Sequence, residues 1–169
     1  MTENTIKPQN AERPTRPVSY SKTESIHILR YQDINGAGRL YGGTLLGWID
    51  EIGAMTAIRH CGGMVTTASI DNLEFKRGAY LNELVVLVAK ITYVGNSSME
   101  IRVDTYVEDL NGFRNPINRA YLTYVCIGDD GKPARIPYDI EFENEGERAE
   151  NESAKLRREN RKFRKKEGF

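Results

Sequence analysis

Apolar positions change their period several times along this chain, and each change marks an element. The segment TESIHILR, from Thr23 to Arg30, alternates polar with apolar residues and predicts a short strand. A loop with Gly36, Gly38, Gly42 and Gly43 follows, and then TLLGWIDEIGAMTAIRH. There Leu45, Ile49, Ile52 and Thr56 recur at helical spacing, as do Leu46, Asp50, Gly53 and Ala57. A helix apolar on nearly every side is a buried one, and Cys61-Gly62-Gly63 supplies its stop. Beyond it the period falls to two. MVTTASIDNLEF and LVVLVAKITYV read as strands, with Gly95-Asn96 as a turn. In SMEIRVDTYVED, Met99, Ile101, Val103, Thr105 and Val107 oppose Ser98, Glu100, Arg102, Asp104 and Tyr106. Asn111-Gly112 and Asn115-Pro116 mark the next connection, and RAYLTYVCIG is the last strand. A strand, one long buried helix and four more strands describe an α+β fold.

The two ends depart from this pattern. Residues 1–21 are polar, with Pro8, Pro14 and Pro17, and read as a flexible arm. Residues 139–169 carry six glutamates between Glu141 and Glu152 and eight lysines and arginines between Lys155 and Lys166. Only Leu156 and Phe163 stand out as apolar in that basic half, so this tail reads as a solvated helix or as disorder. A sharper reading makes it a basic segment for the phosphates of a nucleotide-containing ligand, or a packing arm between subunits. Residues 22–138 remain as the folded domain.

Charge narrows the partners. Twenty-four basic residues balance 24 acidic ones, and no whole-protein field argues for nucleic acid or a membrane surface. No apolar run is long enough for a signal-peptide core or a membrane span, and Cys61 and Cys126 have neither metal-ligand spacing nor a disulfide framework. The expectation is a cytoplasmic protein with no metal.

Three features of the stretch from Asp33 to Glu51 carry chemistry. Gly42-Gly43 directly precedes the helix, where backbone N–H groups lack helical partners and the helix dipole favours negative charge. Such donors stabilise an oxyanion, although a glycine pair also serves simply to turn the chain. Asp50 lies about two turns into an otherwise apolar helix, where a carboxylate is costly unless paired. It is a candidate base or nucleophile, with a structural ion pair as the alternative; Glu51 points about 100° away and reads as exposed. Asn35, flanked by glycine, has an amide that orients a water or donates to a carbonyl, or else makes a turn.

Together these features resemble a known family. The pattern N-x-x-G-x-x-Y-G-G from Asn35 to Gly43, followed by W-I-D-E from Trp48 to Glu51, is similar to the acyl-CoA hydrolase branch of the hotdog thioesterases. VTTASIDNLEF from Val65, VGNSSMEI from Val94 and GKPARIP from Gly131 resemble its later segments, so the likeness covers residues 22–138. Arg77-Gly78 and Asn82-Glu83 depart from the family's usual pairs at those places, and Ala37 stands where a second asparagine is common. The resemblance implies an antiparallel sheet of five or six strands wrapped around one long helix, and a dimer that assembles further into a hexamer, a trimer of dimers. It implies hydrolysis of an acyl-CoA substrate in fatty acid metabolism, with no cofactor because coenzyme A is part of the substrate. Active sites would lie between subunits, with Asn35 of one facing Asp50 of the other. Asp50 would act as base or nucleophile, Asn35 would position water or carbonyl, and Gly42 or Gly43 would hold the oxyanion. Tyr41, Thr67, Phe75, Arg77, Ser97 and Ser98 would contact substrate. Trp48, Met55, Phe75 and Tyr41 are candidates for the acyl pocket. Two rival readings are a non-catalytic acyl-CoA sensor and a hydroxyacyl thioester dehydratase. The latter needs a histidine beside an acid, and His27 and His60 are the only histidines.

Overall fold

A computed structural model describes residues 13–168. A short strand β1 (Thr15–Pro17) and a single helical turn α1 (Val18–Ser21) lead into strand β2 (Thr23–Ile28), and a 3-10 turn spans Tyr31–Asp33. The long helix α2 (Gly42–Cys61) ends with Gly62 in the left-handed conformation. Strands β3 (Met64–Phe75), β4 (Leu84–Val94), β5 (Ser98–Glu108) and β6 (Arg114–Ile127) follow, then a short β7 (Asp139–Glu141) and a second long helix, α3 (Glu145–Glu167). The five longer strands form one antiparallel sheet in the order β2-β4-β5-β6-β3, and β1 pairs in parallel with β7.

Period-two alternation builds one apolar face. Val85, Leu87 and Ala89 of β4, Ile101 and Val103 of β5, and Ala120, Leu122 and Tyr124 of β6 are all fully buried. They pack on Leu45, Ile49, Ile52 and Ala57 of α2. Each large aliphatic side chain buried this way contributes roughly 1.5–3 kcal/mol. The architecture is thus the α+β arrangement that the pattern predicts, with five strands in the main sheet.

Four details differ from the sequence reading. Asn115-Pro116 lies inside β6 rather than before it: Pro116 sits opposite Tyr106 at a register shift, where a bulge spares the missing N–H. Helix α2 is buried on one side only, and Met55 and Ile58 on its other flank are about 40% exposed. The polar row of β5 does not face water, since Glu100 and Asp104 are 1% and 5% exposed. Their cover comes from the charged tail, which is helical and reaches Glu100 through Arg157 and Arg161.

The fourth difference is at the N-terminus. Residues 1–12 of the expected arm lie outside the described residues, but 13–21 are part of the fold. Arg16 donates to the carbonyls of Arg59 (2.9 Å) and His60 (2.7 Å), satisfying the last turn of α2 where carbonyls lack partners. Its guanidinium also stacks on Tyr138, 3.5 Å from the ring centroid. Among the described residues, no helix is long and apolar enough to cross a membrane.

Candidate active site

The loop before α2 is held by its own backbone and by the Asn35 side chain. Tyr41 N–H donates to Asp33 C=O at 2.8 Å, fixing the residue that starts the helix. Asn35 accepts at Oδ1 from the N–H groups of Ala37 (2.9 Å) and Arg39 (3.2 Å). The side-chain carbonyl of Asn35 therefore does turn chemistry, and only its Nδ2 remains to donate to a ligand.

No side chain caps α2, so the N–H groups of Gly42, Gly43 and Thr44 lack a helical acceptor. The two glycines are not equivalent. A Cβ on Gly42 would lie 3.3 Å from the Phe75 ring, whereas one on Gly43 would lie 2.6 Å from the Tyr41 ring. Space left free at Gly43 is thus filled by its neighbour's ring, and Gly42 is the glycine that borders a cleft. That cleft, of about 370 Å³, is lined by Asn35, Gly42, Phe75, Lys76 and Arg77 among others. Its size suits the smaller end of ligand sites.

Asp50 belongs to a second cluster. Eight residues along α2 from Gly42 is about 12 Å of rise, and Asp50 does not line the cleft. It is half-buried and its carboxylate is paired with hydroxyls rather than with a cation. Thr67 Oγ1 donates to Oδ1 at 2.7 Å, and Tyr124 Oη shares its proton between the Asp50 main-chain carbonyl (2.8 Å) and Oδ1 (3.1 Å). Oδ2 has no hydrogen-bond partner among the described residues. Burial, reinforced by the adjacent Asp50 carboxylate, holds the Tyr124 phenol well above its ordinary pKa, so it stays a neutral donor. Gly53 makes this reach possible: a Cβ there would collide with the Tyr124 hydroxyl.

The structure thus gathers Asn35, Gly42, Phe75 and Arg77 at one place and Asp50 with Thr67 at another. Tyr41 stands between the loop and the helix, 57% exposed. Ser97 and Ser98 are not brought to the cleft within one chain. Ser98 pairs with Val125 of β6, while Phe75 at the cleft pairs with Asn118, seven residues and roughly 23 Å along the strand. Glu51 is exposed, as its position round the helix implies. His27 stacks on Trp48, with ring centroids 4.0 Å apart, and His60 is fully buried; neither borders the cleft. Tyr124 went unnoticed in the sequence because it occupies one more inward position of β6. Its signal was the pairing of a hydroxyl in an apolar row with a glycine in a helix interior.

A five-stranded antiparallel sheet curled against one long helix that starts on a glycine pair is the hotdog fold. Residues 37–112 match the family model described as the thioesterase superfamily. An uncharacterized acyl-CoA thioester hydrolase of Bacillus subtilis is 37% identical over 106 residues, 62% of this chain and 62% of that protein. The chain spans only 36% of the cytosolic acyl coenzyme A thioester hydrolases of rat, mouse and human that it also matches. Among solved structures, an acyl-CoA hydrolase from Staphylococcus aureus in complex with butyryl coenzyme A, coenzyme A and coenzyme A disulfide superposes with a TM-score of 0.86. It is 35% identical, over 92% of this chain and 94% of that one. An apo-hexameric acyl-CoA thioesterase superposes with a TM-score of 0.85 at 36% identity, over 89% and 97% of the two chains. Structures of the Staphylococcus aureus hydrolase also exist with one asparagine, one aspartate and one threonine replaced by alanine, the three spaced 15 and 17 residues apart. The chain belongs to the hotdog thioesterases, in the acyl-CoA hydrolase branch of the thioesterase superfamily.

Proposed function

We propose that this chain hydrolyses acyl-CoA thioesters to a free carboxylic acid and coenzyme A, in the cytoplasm. The carrying observation is Asp50: a carboxylate on the core helix whose Oδ1 is fixed by two hydroxyls while Oδ2 is left unengaged. Asn35, Asp50 and Thr67 have the same mutual spacing, 15 and 17 residues, as the three positions replaced in the Staphylococcus aureus hydrolase.

The two half-sites are completed by a second copy. β3 is an edge strand twelve residues long, whose outer side has no partner among the described residues. Antiparallel pairing of two β3 strands about a two-fold axis sets the half of one that carries Thr67 against the half of the other that carries Phe75. Asp50 and Thr67 of one subunit then meet Asn35, Gly42 and Arg77 of its partner. The exposed flank of α2, with Met55 and Ile58, is covered in the same dimer, and three dimers complete a hexamer.

In this site Asp50 Oδ2 removes a proton from a water that attacks the thioester carbonyl carbon. Negative charge gathers on the carbonyl oxygen, where the Gly42 N–H and the Asn35 Nδ2 donate to it. As the carbon–sulfur bond breaks, the thiolate takes the proton that Asp50 holds, and the carboxylate is restored. The same Oδ2 attacking directly, with water then cleaving the resulting anhydride, would give identical products. Incubation with a panel of acyl-CoAs and a thiol reagent tests the reading: release of free CoA is expected, and its absence at every chain length overturns it. Asp50→Asn should reduce turnover by about three orders of magnitude, the scale of a lost acid–base group, with an unchanged melting profile. Near-normal rates in that variant would remove Asp50 from the chemistry.

A further inference from the structure

The outer face of the sheet carries a second cleft, of about 570 Å³, that the reaction above leaves unused. It lies between β3, β6 and α3, and Lys76 at its end also borders the cleft at the start of α2. Its cationic walls are Lys76, Arg119, Arg157 and Arg164; its acidic ones are Asp71 and Glu74. Asp71 is already engaged at both oxygens, by Arg161 at 2.5 Å and Arg164 at 3.1 Å.

These pairs belong to a longer chain of alternating charges. It runs Arg119–Asp104–Arg102–Glu150–Arg157–Glu100–Arg161–Asp71–Arg164, each link between 2.5 and 3.1 Å. The chain begins and ends on arginine, so its five guanidiniums exceed its four carboxylates. Both terminal arginines line the cleft and are partly exposed, Arg119 at 49% and Arg164 at 41%. A guanidinium has five N–H donors, and each of these two spends only some of them on its carboxylate.

An aromatic surface lies beside this positive excess. Phe163 borders the cleft and is 60% exposed, although α3 buries only Asn151 and Ala154 of its own residues. The ring is therefore not what seats the helix. Tyr121 forms the floor with the Arg157 guanidinium 3.7 Å above its centroid. Asn160 and the exposed Glu74 add polar groups suited to a base edge and a ribose hydroxyl.

Exposed aromatic face, forked cations with spare donors and short polar groups are the chemistry that holds a phosphorylated nucleotide. We propose that this cleft binds one, the base against Phe163 and the phosphates on Arg119, Arg164 and Lys76. We assign it to the nucleotide end of the thioester whose acyl end enters the neighbouring cleft, an assignment that rests on the hydrolase reading.

The test compares Phe163→Ala and Arg164→Gln with the unaltered chain on two substrates, an acyl-CoA and the matching acyl-pantetheine thioester, which lacks the nucleotide. The KM for acyl-CoA should rise about tenfold in each variant, the effect of losing one stacking or phosphate contact, while the KM for the pantetheine thioester stays where it was. An unchanged KM for acyl-CoA, or an equal rise for both substrates, overturns the proposal. Adenosine 3′,5′-bisphosphate should inhibit the unaltered chain competitively with acyl-CoA; a fall in kcat at constant KM would instead make the occupant a free nucleotide and overturn the assignment to substrate. If the unaltered chain hydrolyses neither thioester, the hydrolase reading fails by itself. Calorimetric titration with adenosine 3′,5′-bisphosphate then judges the cleft alone: binding that weakens tenfold in Phe163→Ala sustains it, and no binding ends it.

Discussion

The arrangement around Asp50 depends on three residues that do not themselves react. Thr67 and Tyr124 both direct hydroxyls at Oδ1, and Gly53 is small enough for the Tyr124 ring to come that close. A hydrogen bond to a charged group is worth about 1.5–3 kcal/mol. Tyr124→Phe keeps the ring and removes the donor, so kcat should fall roughly tenfold with a melting temperature within a few degrees of the unaltered chain. Gly53→Ala places a methyl where the hydroxyl sits. It should lower kcat at least as far and also cost about 1–3 kcal/mol of stability, as overpacking does. Equal kcat in both variants and the unaltered chain would show that Tyr124 merely packs. Asp50 was legible in the sequence because a charge in an apolar helix breaks a pattern. Thr67 was legible only through the family resemblance, and Tyr124 not at all, because contacts across layers leave no mark on the spacing within one strand.

The elements were more legible than their surroundings. Strands β3 and β4 begin and end where alternation and β-branched residues say they should, and α2 stops at its glycine pair. What the pattern missed was the element facing each polar row. Alternation in β5 distinguishes two faces but says nothing of what covers the second, and α3 covers it with charge instead of apolar surface. A tail with almost no apolar stripe is thereby seated on the sheet by ion pairs, which hydrophobic periodicity does not register. The interaction that matters most is Glu100, 1% exposed and held by Arg157 at 2.8 Å and Arg161 at 3.1 Å. Glu100→Gln leaves two partly buried guanidiniums short of an acceptor, though each keeps a second carboxylate. It should lower stability by about 2–4 kcal/mol, near the range for breaking a buried pair, measured as a drop in the urea midpoint. A shift of less than about 0.5 kcal/mol, typical of a surface change, would mean that α3 is held by something else.

At the scale of the whole molecule, the sensitive joint is where the N-terminal segment meets the end of α2. His60 is fully buried there, and burial, then the nearby Arg16, lowers its pKa to about 4 from an ordinary 6.5. An unfolded chain therefore takes up this proton at a higher pH than the folded one. Stability from this group is whole above pH 6.5 and is lost as the pH falls from 6.5 towards 4. That amounts to about 3 kcal/mol at 1.36 kcal/mol per unit. In urea titrations at pH 7 and pH 4.5, His60→Gln should lose distinctly less stability than the unaltered chain; parallel losses would acquit His60.

The same region contains the parallel pair of β1 and β7, with Thr15 opposite Asp139 and Pro17 opposite Glu141. Ser19 N–H reinforces it by donating to Glu143, 124 positions further along, at 2.8 Å. Everything between Thr15 and Glu141, the whole main sheet and α2 included, is thus a loop closed by a three-residue clasp. Closing a loop of that length costs chain entropy that so short a ladder scarcely returns, so the clasp follows the sheet in time instead of nucleating it. It is equally the natural first seam to open. Because β7 leads directly into α3, a chain that parts there gives up Ile140 from the rim of the core and the tether of its charged cover before the main sheet opens.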